Sequence, residues 1–250
     1  MTLPDFDPTP SYLVFGATGG IGSELCRHLA AQGARVVLAG RNEEKLRALS
    51  EELHGFAYPL DATHFEEVDA CVEKALQLQT RLDGIACCVG SLLLKPAHAT
   101  SATEWGTTIA INLTSAFAVV RAGARAMMKA GGSIVLVSSA AARVGLANHE
   151  AIAAAKAGVI GLALSAAASY AARGIRVNCV APGLVRTPLT ARLTNNETSL
   201  KSSLAMHALG RLGEPGDVAR AIAWLLSPEQ SWVSGQVLGI DGGLASVRPR

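Results

Sequence analysis

Residues 148–158 read NHEAIAAAKAG and set Lys156 among small apolar residues, with Ile152 four positions earlier and His149 seven earlier. Positions four apart on a helix share a face, so whatever stands at 152 points where Lys156 points. A cation there favours ionisation of an acid beside it, and isoleucine has no proton to give. His149 carries an imidazole, a side chain able to act as a general acid. On one continuous helix it would lie roughly 10 Å of axial rise from Lys156. If the helix starts near Glu150, His149 sits on the preceding loop and can turn inward as a proton donor; a solvated loop histidine is the plainer alternative. Glu150 reads as a helix-start acid favoured by the dipole. Tyr12, Tyr58 and Tyr170 fall on other segments, and Ser139 can polarise an oxygen but is a poor acid unaided.

A second constellation suits phosphate. The apolar run YLVF at 12 leads into GATGGIG, Gly16 to Gly22, and then into SELCRHLAAQG. Glycines permit positive φ and a close ligand, and a helix amino end offers free N–H groups and a positive dipole end. Gly16, Thr18, Gly19, Gly20, Ile21 and Gly22 form the expected cradle for a dinucleotide pyrophosphate. The next strand ends in VVLAGRN, with Gly40 where an acid would hold a ribose 2′-hydroxyl and Arg41 beside it. An arginine accommodates a 2′-phosphate, so NADP(H) fits better than NAD(H); otherwise Arg41 caps a surface turn. Asp61 is placed either to accept from adenine or to cap the helix that follows.

Both constellations need a frame. Apolar runs at 12, 34, 84, 133, 175 and 236, with a weaker one in HGFAYPLD at 54, alternate with helical segments. Examples of the latter are Glu43 to Leu53, Glu66 to Leu78, Thr103 to Lys129, Ile152 to Ala172 and Gly216 to Leu226. Continuous apolar runs suit strands buried on both faces. The α/β fold expected is a Rossmann-type, doubly wound sheet of about seven parallel strands in a single domain over residues 1–250, with residues 1–10 an extended tail. A net charge of +2 with no basic stripe argues against nucleic acid. No stretch reads as a signal or a membrane span, so a soluble cytoplasmic protein is expected. Five cysteines without paired spacing read as buried free thiols, and no metal site is expected.

From Tyr12 to Gly243 the chain resembles the short-chain dehydrogenase/reductase family. The landmarks are GATGGIG, LDAT at 60, Val89-Gly90, INLTSAF at 111, GGSIVLVSS at 131, Lys156, RVNCVAPGLVRTPLT at 176, RLGEPGDVARAIAWLLSP and SGQVLGIDGG. The resemblance implies an NAD(P)-dependent oxidoreductase acting on a small molecule, as a homotetramer or homodimer. It implies that Asn112 bends its helix and holds a relay water, that Ser139 hydrogen-bonds the substrate oxygen, and that Lys156 binds the nicotinamide ribose. Gly90 would border the cofactor, and Pro182, Gly183, Val185 and Thr187 would hold the carboxamide. Three departures stand out: Phe15 replaces a threonine, Cys87-Cys88-Val89-Gly90 replaces Asn-Asn-Ala-Gly, and Ile152 replaces the active-site tyrosine.

An NADP(H)-dependent reductase with an atypical proton donor therefore competes with a catalytically weakened relative that binds NADP(H) or a protein partner. Intact Ser139, Asn112 and Lys156 favour the enzyme. The small-residue helices near 103–129 and 152–172 suit a subunit interface, and Leu189 to His207 is expected to form a lid. Asp217 and Arg211 read as a helix cap and a solvated charge.

Overall fold

A computed structural model describes residues 9–248. Most of the expected tail therefore lies outside the described residues. Seven strands form one parallel sheet in the order β3-β2-β1-β4-β5-β6-β7. They are β1 (Ser11–Phe15), β2 (Arg35–Gly40), β3 (Phe56–Pro59), β4 (Gly84–Cys87), β5 (Gly132–Val137), β6 (Ile175–Pro182) and β7 (Val237–Ile240). The continuous apolar runs are explained by burial on both faces. Leu13 and Phe15 of β1 pack into a core with α3 (Phe65–Gln79), α5 (Ser115–Met127) and α6 (Glu150–Tyr170). Tyr12 and Val14 of the same strand face the opposite core, built by α1 (Gly20–Ala31), α2 (Glu43–Leu53) and α9 (Pro215–Leu226). The chain order reverses between β1 and β4, and ligands of open parallel sheets bind at that crevice, beyond the strand carboxyl ends.

The segment expected as one helix over 103–129 divides into α4 (Ala102–Ile109), a wide π turn over Ala110–Thr114, and α5. Asn112 lies within that turn. Two helical stretches, Ala102–Met127 and Glu150–Arg173, are long and apolar enough to cross a membrane by length and composition, which corrects the expectation that no stretch approaches that limit. Both pack along one face of the sheet, and that burial accounts for much of their hydropathy. The remaining helices, α7 (Ala191–Thr194) and α8 (Glu197–Met206), lie within the segment expected as a lid.

Candidate active site

The nucleotide cradle is built by close backbone packing. Gly16 adopts φ +75°, and a Cβ there would stand 2.8 Å from the Cys88 carbonyl carbon. At Gly22 a Cβ would come within 2.2 Å of the Gly16 oxygen, so the helix can sit this close to the turn only with glycine. Gly19 is the N-cap of α1, Gly20 starts it against the Thr187 methyl, and Ile21 reaches the neighbouring cavity. A groove of about 240 Å³ opens over these residues, lined among others by Thr18, Gly40, Arg41, Asp61 and Gly90. Arg41 is largely exposed, with its guanidinium 4.0 Å from Asp61. Asp61 does not cap α3, whose N-cap is His64. It accepts instead from the Thr63 N–H and hydroxyl, and these bonds, with Arg41 nearby, hold its carboxyl below the ordinary range despite partial burial. The glycine backbone with the helix amino end suits a pyrophosphate, and the exposed, loosely paired Arg41 suits an adenosine 2′-phosphate.

The groove meets an apolar cavity of about 440 Å³ along Cys88, Val89 and Gly90. Ser139, His149, Ile152, Lys156, Pro182, Gly183, Val185 and Thr187 all line that cavity. Lys156 is 7% exposed and its Nζ donates to the Val137 carbonyl at 2.8 Å. The Ser138 hydroxyl donates to the Lys156 carbonyl at 2.7 Å and fixes the helix to β5. Burial pushes the Lys156 ammonium below its usual pKa. Asn112 is equally fixed: its amide donates to Ser91 Oγ and the Thr108 carbonyl, and its Oδ1 accepts from Ser91 N–H. A Cβ on Gly90 would stand 3.2 Å from Asn112 Oδ1 and 3.5 Å from Lys156 Nζ, so glycine keeps this corner open to both groups. Ser139 Oγ accepts from the Ala141 N–H, and its own hydroxyl proton can be donated into the cavity.

Helix α6 begins at Glu150, which leaves His149 as its N-cap residue on the loop. Asn148 turns the chain there with φ +63°, a conformation asparagine tolerates. His149 Nδ1 bonds the Ala147 carbonyl at 2.7 Å, so its other nitrogen is the one available to the cavity. Ile152 is 3% exposed and forms wall where an acid one turn before Lys156 would stand. Tyr12, Tyr58 and Tyr170 are absent from the residues lining the cavity. Ser91, Ser138 and His207 were not singled out from the sequence, because each acts through a partner distant in the chain. Asp217 and Arg211 pair with each other at 2.6 Å at the start of α9, away from this cavity. The described cysteines are free thiols, and burial raises Cys71 to about 12 and Cys179 to about 11. Among the described residues no cluster could hold a metal ion.

Comparison with known proteins settles the kinship. The family described as Enoyl-(Acyl carrier protein) reductase matches residues 16–245. The 3-oxoacyl-(acyl-carrier-protein) reductase FabG of Thermotoga maritima is 37% identical over 242 residues, covering 93% of this chain and 96% of that protein. The chain belongs to the short-chain dehydrogenase/reductase family. Cis-4-hydroxycyclohexanecarboxylate dehydrogenase of Sinomonas cyclohexanicum is 39% identical, with 94% and 96% of the two chains covered. Among solved short-chain dehydrogenase/reductase folds, one from Mycobacterium ulcerans superposes with a TM-score of 0.91 at 33% identity, covering 100% of this chain and 93% of that one. ElxO with NADP bound gives 0.90 at 29% identity over 96% of this chain and 100% of that one.

Proposed function

We propose that this chain is an NADP(H)-dependent oxidoreductase whose substrate is reduced without a phenolic acid. The observation that carries this reading is the junction at Val89-Gly90, where a phosphate-suited groove bearing Arg41 meets an apolar cavity presenting Ser139 and Lys156 beside Ile152. NADPH, when bound, supplies the hydride. Arg41 would pair the 2′-phosphate, and the amino end of α1 would face the pyrophosphate. Lys156 would donate to the nicotinamide ribose, and Pro182, Gly183, Val185 and Thr187 would orient the carboxamide. Ser139 would donate to the substrate heteroatom. With no phenol at 152, a charged C=N or an activated C=C bond suits the site best: hydride on an iminium carbon gives a neutral amine directly, and hydride on the β-carbon of an enone gives an enolate whose oxygen Ser139 would hold while its α-carbon takes a proton from water. A small ketone would depend on His149, or on a water held by Lys156 and Asn112. The cavity's apolar wall suits the hydrocarbon part of such a substrate.

We read residues 1–250 as one domain of a soluble cytoplasmic protein. Trp105, Phe117 and Leu164 are exposed on α4, α5 and α6, and they support pairing of copies through these helices, as a dimer or within a tetramer. The second reading, a protein that holds NADP(H) without turnover, rests on the apolar wall at Ile152.

The test follows NADPH absorbance with iminium compounds, enones and ketones in the wild type and in Lys156→Ala and His149→Ala. Turnover of the first two classes is expected, with ketones slower by roughly 10²- to 10⁴-fold, the usual worth of general acid catalysis. Residual ketone turnover that survives His149→Ala assigns the proton to water. Tight NADPH binding with no turnover in any class favours the second reading, and absence of NADPH binding overturns both.

A further inference from the structure

We propose that His207 is a positioning residue for the nicotinamide end of the cofactor, joining the segment over the cavity to the loop that follows β6. This inference rests on the NADP(H) reading above. His207 is 3% exposed and ends α8 as its C-cap residue. Its ring uses both nitrogens on backbone: Nε2 accepts from the Leu184 N–H at 3.1 Å, and Nδ1 donates to the Ser203 carbonyl at 2.6 Å. A neutral imidazole offers one donor and one acceptor, so these two bonds assign the tautomer with its proton on Nδ1.

The fit is as close as the bonding. A Cβ on Gly183 would stand 2.6 Å from His207 Nε2, so the ring lies directly against backbone that only glycine leaves open. The following residues secure this corner to the turn after β7, where a Cβ on Gly242 would stand 3.6 Å from His207. The His207 carbonyl accepts from Gly210 N–H, and Leu209 N–H donates to the Gly242 carbonyl. One imidazole thus bonds α8 to the Pro182–Thr187 loop, and it forms part of the cavity wall. With both nitrogens committed it has no proton to exchange with a substrate. What it fixes is the direction of the Leu184 peptide, next to Gly183, and hence the backbone expected to hold the carboxamide. Nothing ties it to the Arg41 groove, whose lining does not include it.

The test separates the two ends of the cofactor. Affinity for NADPH and for 2′-phospho-adenosine diphosphate ribose, which lacks nicotinamide, is measured by titration for the wild type, His207→Phe and His207→Gln, each checked for an unchanged fold by thermal melting. Loss of the buried hydrogen bond to Leu184 in His207→Phe should weaken NADPH about tenfold and leave the truncated ligand unaffected. His207→Gln, whose amide oxygen can accept from Leu184 N–H, should recover most of that loss. Equal weakening of both ligands, no weakening of either, or failure of glutamine to recover binding overturns the assignment of His207 while the cofactor reading stands. A wild-type protein that binds neither ligand overturns the cofactor reading and this proposal with it.

Discussion

Replacing Ile152 with tyrosine tests whether the proton donor is the one part this site lacks. The side chain at 152 forms cavity wall, and Lys156 follows four residues later on the same helix. That spacing is roughly 6 Å of axial rise on one face, close enough for the ammonium to favour the phenolate and lower the phenol's pKa. The cavity of about 440 Å³ can take the added ring without displacing core. The stability cost should therefore lie at or below the ~1–3 kcal/mol typical of overpacking, a Tm drop of at most roughly 10 °C. A restored general acid should raise kcat/KM for a small ketone by ~10²- to 10⁴-fold, which at 1.36 kcal/mol per decade is about 2.7–5.5 kcal/mol of barrier. The assay follows NADPH oxidation against pH. Reduction needs the phenol protonated, so the variant's rate should fall as pH rises through the phenol pKa, and the parent should lack that limb. A variant that folds, binds NADPH with parental affinity and gains no ketone reduction would refute the reasoning, because the pocket beyond 152 would then also be unsuited to ketones.

Arg41→Ala should weaken NADPH binding by ~10- to 100-fold, the loss of one charge-assisted contact of ~1.5–3 kcal/mol, and leave NADH affinity unchanged in a fluorescence titration. Because Arg41 is 69% exposed and only 4.0 Å from Asp61, the apoprotein should melt within ~0.5 kcal/mol of the parent. Asp217→Asn should lower stability at pH 7 by ~1–2 kcal/mol after discounting for the exposed arginine partners. The bonds from Arg211 and the Glu214 N–H hold the Asp217 carboxyl down at about 2. A folded pKa below the unfolded one means that this stabilisation is present above ~pH 4 and is lost as pH falls toward 2. Urea melts of parent and variant should therefore converge in acid.

The fold was legible because a parallel sheet covered on both faces writes its strands as unbroken apolar runs, and all seven appear where such runs stand. Even the weak one at 54 proved to be β3, an edge strand whose exposed Phe56 and Pro59 blur the signal. The glycine cradle was equally plain, since close backbone approach leaves no choice of residue. Helix continuity was not legible from composition, although the resemblance implied a bend at Asn112. Ala110–Thr114 reads AINLT, ordinary helical composition, and within the wide turn Asn112 bonds Ser91 across the crevice. Asp61 as a helix cap failed for a similar reason, because two bonds to Thr63 draw it into a local turn and leave the cap to His64. His207 could not be found at all by periodicity, since its meaning lies in a peptide 23 residues earlier.

The wide turn at Asn112 separates two requirements that most helices combine. A π turn accommodates one residue more than the regular spiral, so the flanking halves keep their orientations while the surplus bulges outward. Here α4 and α5 hold their packing on either side, and the bulge carries the amide that bridges to Ser91 beside Gly90. Shortening the chain by one residue within 110–114 would let the spiral close and leave Phe117 and Arg121 against Phe65. The amide would be withdrawn from the crevice. The packing of the helix and the placement of its crevice amide are thus encoded by different residues, and a single deletion should remove the second while sparing the first.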